Sequence, residues 1–175
     1  RCWITCDNLA FAVVTGHENW PVAWVTWYGA KAFSIYYGLD LPTEAEWEYA
    51  CRAGRQHIYG TDDGAIGGAK ANYAFGIGYI DHPVDVGSYP ANPFTLRDMS
   101  GNVWEYCHDW YGEYPGGSVS NPSGPTSGGS RVVRGGSWGF GAYNCHSAAR
   151  FSTVPGFSDG YGGFRVVRRV SPRQY

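Results

Sequence analysis

Helical periodicity is confined to one stretch of this chain, Val22 to Gly54. Thr26 is placed to cap a helix whose Ala30, Phe33 and Tyr37 share one face, and Gly38 ends it. The run "LPTEAEWEYACRAG" encodes a second helix. Thr43 and Glu46 have capping-box spacing, Trp47, Ala50 and Cys51 form the apolar stripe, and Gly54 closes it. After Gly54 the pattern is Gly-rich and aperiodic. "GTDDGAIGGAKANYAFGIGYI" reads as loop, and "GGSVSNPSGPTSGGS", Gly116 to Ser130, as a polar loop with no sequence reason to pack. Two short strand signals follow, "SRVVRGGSW" and "GGFRVVRR", each a Val pair flanked by Arg. Antiparallel pairing of the two, with the arginines exposed, accounts for both.

A chain with so little regular structure needs another source of cohesion. Aromatics make up 17% of it, alongside 26 glycines, while lysine occurs only at Lys31 and Lys70. Aromatic packing can hold such a fold, and this content is foreign to disordered chains. The length of 175 residues suits a single domain spanning residues 1–175, and no internal boundary stands out. The net charge of -2 gives no reason to expect nucleic acid or a membrane surface as partner. No apolar run reaches the roughly 18 residues of a membrane span. The start at "RCWITCDNLAF", without Met or signal peptide, is expected of a mature form or a fragment. The cysteines Cys2, Cys6, Cys51, Cys107 and Cys145 form no CxxC pair. Their scatter in an aromatic, Lys-poor chain favours an oxidising compartment, extracellular or at the cell surface. In a reducing compartment three of them read as small buried hydrophobes.

Five motifs in fixed order carry a family resemblance: "PVAWVTWYGAKAF", "LPTEAEWEYACRAG", "DMSGNVWEY", "RVVRGGSW" and "GFRVVR". Together, from about Pro21 to Arg168, they resemble the formylglycine-generating enzyme, or sulfatase-modifying factor, family. The resemblance implies an α+β fold, a C-type-lectin-like variant with short antiparallel sheets, two helices and extensive irregular loops. It also implies an N-terminal segment that this chain, with about twenty residues before Pro21, is expected to lack or to borrow from another chain.

The same resemblance implies structural calcium in the "DMSGNVWEY" turn, held by the Asp98 and Glu105 side chains and the Gly101 and Val103 carbonyls. A tight oxygen-rich turn suits an ion that takes six to eight oxygens. In the competing reading the two carboxylates cap backbone N–H groups. A second implied site uses the Asn72 side chain and the Tyr73 carbonyl, without an acidic match between Phe75 and Gly78. The family's oxidase needs two cysteines, five residues apart, for copper(I). Here "GGSWGFGAYNCHSAAR" holds only Cys145, with Phe140 or a neighbour in the other place, so no copper is expected. The branch that uses a three-histidine iron site carries it on a further N-terminal domain, and the five histidines here show no HxxxH spacing. Cys145 with His146, and Cys107 with His108, are adjacent residues that point to opposite faces of a strand, so structural roles are expected. A Cys107–Cys145 disulfide is the first expectation. Cys51–Cys145 is the second, because the oxidase branch links the Cys51 position to a residue near Ser147. Arg131, Arg134, Arg165 and Arg168 are expected to stack on aromatics or pair with Glu rather than form a binding patch.

The functional expectation is a catalytically inactive family member serving as an extracellular binding or structural module. Phe140, Tyr143, Phe151, Phe157 and Tyr161, on the loops where the family varies, form the candidate ligand face for a protein or carbohydrate. Self-association into an oligomer or filament is the structural version. In it "WITCDNLAFAVV", with Ile4, Leu9, Phe11 and Val13, docks on a neighbouring copy. The alternative is an enzyme: a metal-dependent oxidoreductase of the formylglycine-generating type, or an activity of another kind.

Overall fold

The computed structural model describes residues 2–8, 10–75 and 78–169. Both helices start where their caps place them. Thr26 Oγ1 accepts the Gly29 N–H at 3.1 Å and opens α1, Trp27–Tyr36. α2, Glu44–Arg52, has both halves of its capping box: Glu46 N–H to Thr43 Oγ1 at 3.1 Å, and Thr43 N–H to Glu46 Oε2 at 2.7 Å. Ala53 and Gly54, at φ 49° and 71°, turn the chain out of α2. The buried face of α1 differs from expectation: it is Trp27, Ala30 and Ser34, while Phe33 and Tyr37 are 46% and 58% exposed. Small Ala30 and Ser34 let the helix approach closely while Trp27 inserts its ring, whose Nε1 donates to the Cys107 carbonyl at 2.8 Å. Phe33 and Tyr37 pack against each other outside, their rings tilted by 48°.

The main sheet runs β5 (Phe151–Thr153), β4 (Arg131–Arg134), β3 (Trp104–Trp110), β6 (Gly162–Gly163). β4 is antiparallel to both neighbours, but β6 lies parallel to β3, so the sheet is mixed. The two Val-pair segments therefore do not pair with each other. "RVVR" becomes β4, whereas "GGFRVVRR" contributes its glycines as β6 and an isolated bridge from Val167 to Asp40. A Cβ on Gly163 would lie 2.7 Å from the Val22 carbonyl oxygen, so the glycine is what lets this segment press in.

Strand alternation then explains the core. On one face of the sheet Trp104, Tyr106 and Val133 pack with Trp27, Ala30 and Leu41. On the other, Cys107 and Val132 pack with Trp47, Cys51 and Met99. The sheet is thus covered by α1 on one side and α2 on the other, and the β4 arginines have nowhere exposed to go: Arg131 is 9% exposed and Arg134 0%. The polar loop also packs. A Cβ on Gly128 would lie 3.1 Å from Trp110 Cβ, one on Gly124 would lie 3.0 Å from Asp109 Cβ, and Tyr111 N–H bonds the Ser130 carbonyl at 2.8 Å. Its glycines, rather than apolar side chains, make that contact.

Near the N-terminus, β1 (Ile4–Asp7) and β2 (Ala10–Val13) form a separate antiparallel hairpin with every strand residue exposed. Ile4, Phe11 and Val13 lie in it; Leu9 falls outside the described residues. Trp3 stacks on His17 and Trp20 on His82, with centroids 4.4 and 5.0 Å apart. Among the described residues no helix is long and apolar enough to cross a membrane.

Candidate functional site

The turn between Asp98 and Glu105 is built from left-handed backbone: Asp98, Gly101 and Asn102 sit at φ 58°, 84° and 63°. It is pinned by Gly101 N–H to the Gly135 carbonyl and Asn102 N–H to the Asn72 carbonyl, both at 2.8 Å. The Asn102 side chain grips Val84 from both ends, accepting its N–H and donating to its carbonyl. Asp98, Gly101, Val103 and Glu105, the four residues expected to hold calcium, line one cavity of about 350 Å³. Asp98 Oδ2 accepts the Gly87 N–H at 2.6 Å, while Oδ1 is buried without a hydrogen-bond partner. Burial raises the Asp98 pKa, and the neighbouring Glu105 charge adds to the effect. A divalent cation would relieve both. Glu105 is already engaged: it receives Arg165 at 2.5 and 2.6 Å and Trp47 Nε1 at 2.6 Å. Asp98 Oδ1 is thus a free oxygen that a calcium ion could take, whereas Glu105 would have to share its charge with Arg165. Asn72 is buried and donates its Nδ2 to the His82 carbonyl at 2.9 Å; its own carbonyl serves Asn102. Tyr73 follows in irregular chain. Part of the span searched for an acidic partner, residues 76 and 77, lies outside the described residues.

All five cysteines are free thiols. The expected Cys107–Cys145 disulfide is not formed, because the two side chains occupy different surroundings. Cys107 packs with Trp47, Met99 and Val132, whereas Cys145 sits in the 3-10 turn Ala142–Cys145 with Sγ 4.0 Å from the Gly141 carbonyl. Nor does Cys51 meet Cys145: its thiol lies 3.4 Å from Ser147 Oγ. Burial pushes the Cys51 thiol up to about 11 and the Cys145 thiol to about 12, and raises Cys107 well above its ordinary value. These groups stay protonated near neutral pH, the wrong state for a nucleophile or a metal ligand. His146 turns to Tyr59, Nε2 to the hydroxyl at 3.0 Å. The arginines act structurally. Arg131 lies between the Trp27 and Trp110 rings at 3.7 and 3.5 Å, Arg165 forks onto Glu105, and Arg134 pairs with Glu44 and Glu48. Arg168 alone of the four is exposed.

Of the five aromatics expected on a ligand face, Phe140, Phe151 and Tyr161 are joined. Phe140 meets Trp104 and Tyr161 at 5.6 and 5.5 Å, and Trp104 stacks on Phe151 at 5.7 Å. Phe140 and Tyr161 are half-buried supports, while Phe151, Phe157 and Tyr143 stand 52%, 54% and 77% exposed. The structure adds Phe75, which the sequence reading missed. It is 90% exposed, held at φ 65°, and approaches Gly141, between Phe140 and Tyr143 in the chain. An aperiodic Gly-rich stretch gives no signal for such a residue, although an aromatic fixed in left-handed backbone is unusual.

Residues 6–170 match the model of the sulfatase-modifying factor enzyme 1-like domain. The chain belongs to this family. It is 38% identical over 175 residues to the formylglycine-generating enzyme of Streptomyces coelicolor, covering 88% of this chain and 54% of that one. It is 38% identical over 159 residues to the serine/threonine-protein kinase pkn1 of Chlamydia caviae, covering 89% of this chain but 25% of that protein. The chain thus spans about a quarter to a half of these two relatives. Among solved structures, Treponema denticola variable protein 1 superposes with a TM-score of 0.76 at 26% identity, covering 90% of this chain and 74% of that one. The Major Tropism Determinant U1 variant, with a TM-score of 0.52 at 17% identity over 81% of this chain and 37% of that one, shares the fold alone. The C-type-lectin-like α+β architecture is therefore that of the sulfatase-modifying factor family.

Proposed function

We propose that this domain is a non-oxidising member of its family that binds a protein or carbohydrate outside the cell through the loops around Tyr143 and Phe151. The observation that carries the reading is that Cys145, buried and protonated, is the one cysteine in the segment after β4, and that Tyr143 and Phe151 stand exposed, Phe151 stacked on Trp104. Rigid aromatics on irregular loops present large contact area at low entropic cost. A Treponema variable protein shares this scaffold, and the formylglycine-generating relatives define the competing oxidase. Tyr143→Ala and Phe151→Ala are expected to leave the thermal midpoint within a few degrees and to abolish binding to whatever glycan-array or peptide-library ligand the parent selects. Copper-dependent conversion of a sulfatase-type Cys peptide to formylglycine, read by mass spectrometry, would refute the reading.

Calcium belongs to the same proposal as a structural ion at Asp98. Adding calcium is expected to raise the thermal midpoint of the parent chain and leave Asp98→Ala unmoved. An equal loss for Asp98→Ala in chelator and in calcium would assign the carboxylate to capping Gly87 instead. Self-association is a second reading, favoured by the wholly exposed strands β1 and β2, which form a two-stranded sheet with no further strand beside them among the described residues. Light scattering that stays monomeric at high concentration rejects it.

A further inference from the structure

Helix α1 is apolar on both sides. Its inner face is Trp27, Ala30 and Ser34. Taken round the helix at about 3.6 residues per turn, the positions other than these and Lys31 run Ile35, Tyr28, Ala32, Tyr36, Gly29, Phe33, and all six are exposed. Ile35, Tyr28 and Tyr36 stand 63%, 59% and 82% exposed. Tyr37, just past the last turn, extends the strip through its contacts with Tyr36 and Phe33. Lys31 is the only charged residue of the helix. It lies at the border between the two faces, and Asp40 holds its ammonium.

A surface helix keeps polar residues on its outer side, whereas one that is apolar all round belongs in covered surroundings. Contiguous apolar patches beyond a few hundred Å² mark contact surfaces. At about 200 Å² for a fully exposed large side chain, Tyr28, Phe33, Ile35, Tyr36 and Tyr37 expose roughly 600 Å². Two such faces together reach about 1,200 Å², the lower end of what stable protein–protein interfaces bury. The strip holds no charge that would select a partner of opposite sign or repel an identical copy. It also has no basic residues to draw it to lipid headgroups. Its relief is self-complementary. Gly29 and Tyr36 lie on one line of the helix, seven positions apart, with Ala32 between them. When two copies cross antiparallel with Ala32 near the centre, the Tyr36 ring of each meets the hollow at Gly29 of the other. Bulk then meets hollow twice about a single two-fold axis.

We propose that the outer face of α1 is a homodimer interface, in which two copies of this chain pack α1 against α1 across a two-fold axis. The contact uses no residue of β1 or β2 and none of the Tyr143 and Phe151 face. It closes at two copies, unlike the addition of strand to strand at the β1–β2 sheet.

Sedimentation velocity of the full chain across the micromolar range tests this. A reversible monomer–dimer equilibrium is expected. Tyr36→Arg and Ala32→Arg, both at exposed positions, should each weaken it at least about tenfold, with the unfolding midpoint of the monomer unchanged. Phe11→Arg, on β2, should leave it as it is. Ala32 lies close to the axis, so mixing Ala32→Arg with Ala32→Glu should give dimers that neither variant forms alone. A chain that stays monomeric over the whole range overturns the proposal. So does association that persists in both α1 variants, and so does association that Phe11→Arg abolishes, which assigns it to the β1–β2 sheet. A monomeric chain that instead binds neutral phosphatidylcholine vesicles overturns it too, assigning the face to a membrane surface. Glycan or peptide binding at Tyr143 and Phe151 is a separate readout, so either proposal can fail alone.

Discussion

Arg134→Ala is expected to destabilise the domain by about 3–5 kcal/mol, the range for removing one partner of a buried ion pair. The Arg134 side chain is fully buried in the centre of the sheet. Its Nη2 bonds the Ser147 carbonyl at 2.8 Å and the Glu48 carboxylate, its Nη1 bonds the Ala149 carbonyl, and its Nε lies 3.6 Å from Glu44 Oε1. Alanine would strand two carbonyls without donors, remove the cation shared by two glutamates on α2, and leave a void beside Trp47. For a chain of this size the loss corresponds to a thermal midpoint lower by roughly 6–20 °C. Arg134→Met fills the space but donates nothing, so it should recover only the packing part. Glu48→Gln is the control. Glu48 is partly exposed, Gln keeps an oxygen that can accept from Arg134, and Glu44 remains beside the guanidinium, so its loss is expected to be clearly smaller than that of Arg134→Ala. A small effect for Arg134→Ala, comparable to Glu48→Gln, would show that the guanidinium is a replaceable filler.

That arginine marks where reading the sequence stops. The pattern Arg-Val-Val-Arg announces a strand, and its β-propensity makes it one. Alternation cannot say that both faces of the strand are covered, because that depends on α1 and α2 packing on opposite sides of the sheet. The arginines were legible as structural groups but not as buried ones. The same limit applies to α1. Its aromatics Phe33 and Tyr37 look like core by composition, yet the face that fits is the one with Ala30 and Ser34. Caps were fully legible, since Thr26, Thr43 and Glu46 act on their own neighbours in the chain. The turn at Asp98 to Glu105 was legible because its candidate ligands lie within eight consecutive positions. The Cys107 and Cys145 environments were not, since burial of Cys107 among Trp47 and Met99 is a long-range fact; the approach of Cys51 to Ser147 was implied only by the family resemblance.

Gly101→Ala is expected to cost about 2–4 kcal/mol, from left-handed backbone strain of roughly 1–2 kcal/mol plus a steric conflict worth a similar amount. Gly101 sits at φ 84°, and a Cβ there would overlap the Asn72 carbonyl oxygen. That oxygen cannot simply retreat, because it accepts the Asn102 N–H at 2.8 Å. Moving either peptide pulls Gly101 N–H from the Gly135 carbonyl and loosens the Asn102 side chain from Val84. Four segments of irregular chain, around residues 72, 84, 101 and 135, are joined at this point, so the strain has no local outlet. Gly117→Ala separates the two contributions. Gly117 has nearly the same φ, 83°, but nothing lies within 4 Å of the position its Cβ would take. It should therefore show backbone strain alone, about 1–2 kcal/mol, reduced by the looser packing of its exposed loop. Urea denaturation of both variants measures the difference directly. Comparable losses at the two positions would mean that the Asn72 peptide yields freely and that the turn is not the junction its hydrogen bonds describe. A much larger loss at Gly101, with the calcium response abolished as well, would tie the junction and the Asp98 cavity to one folding unit.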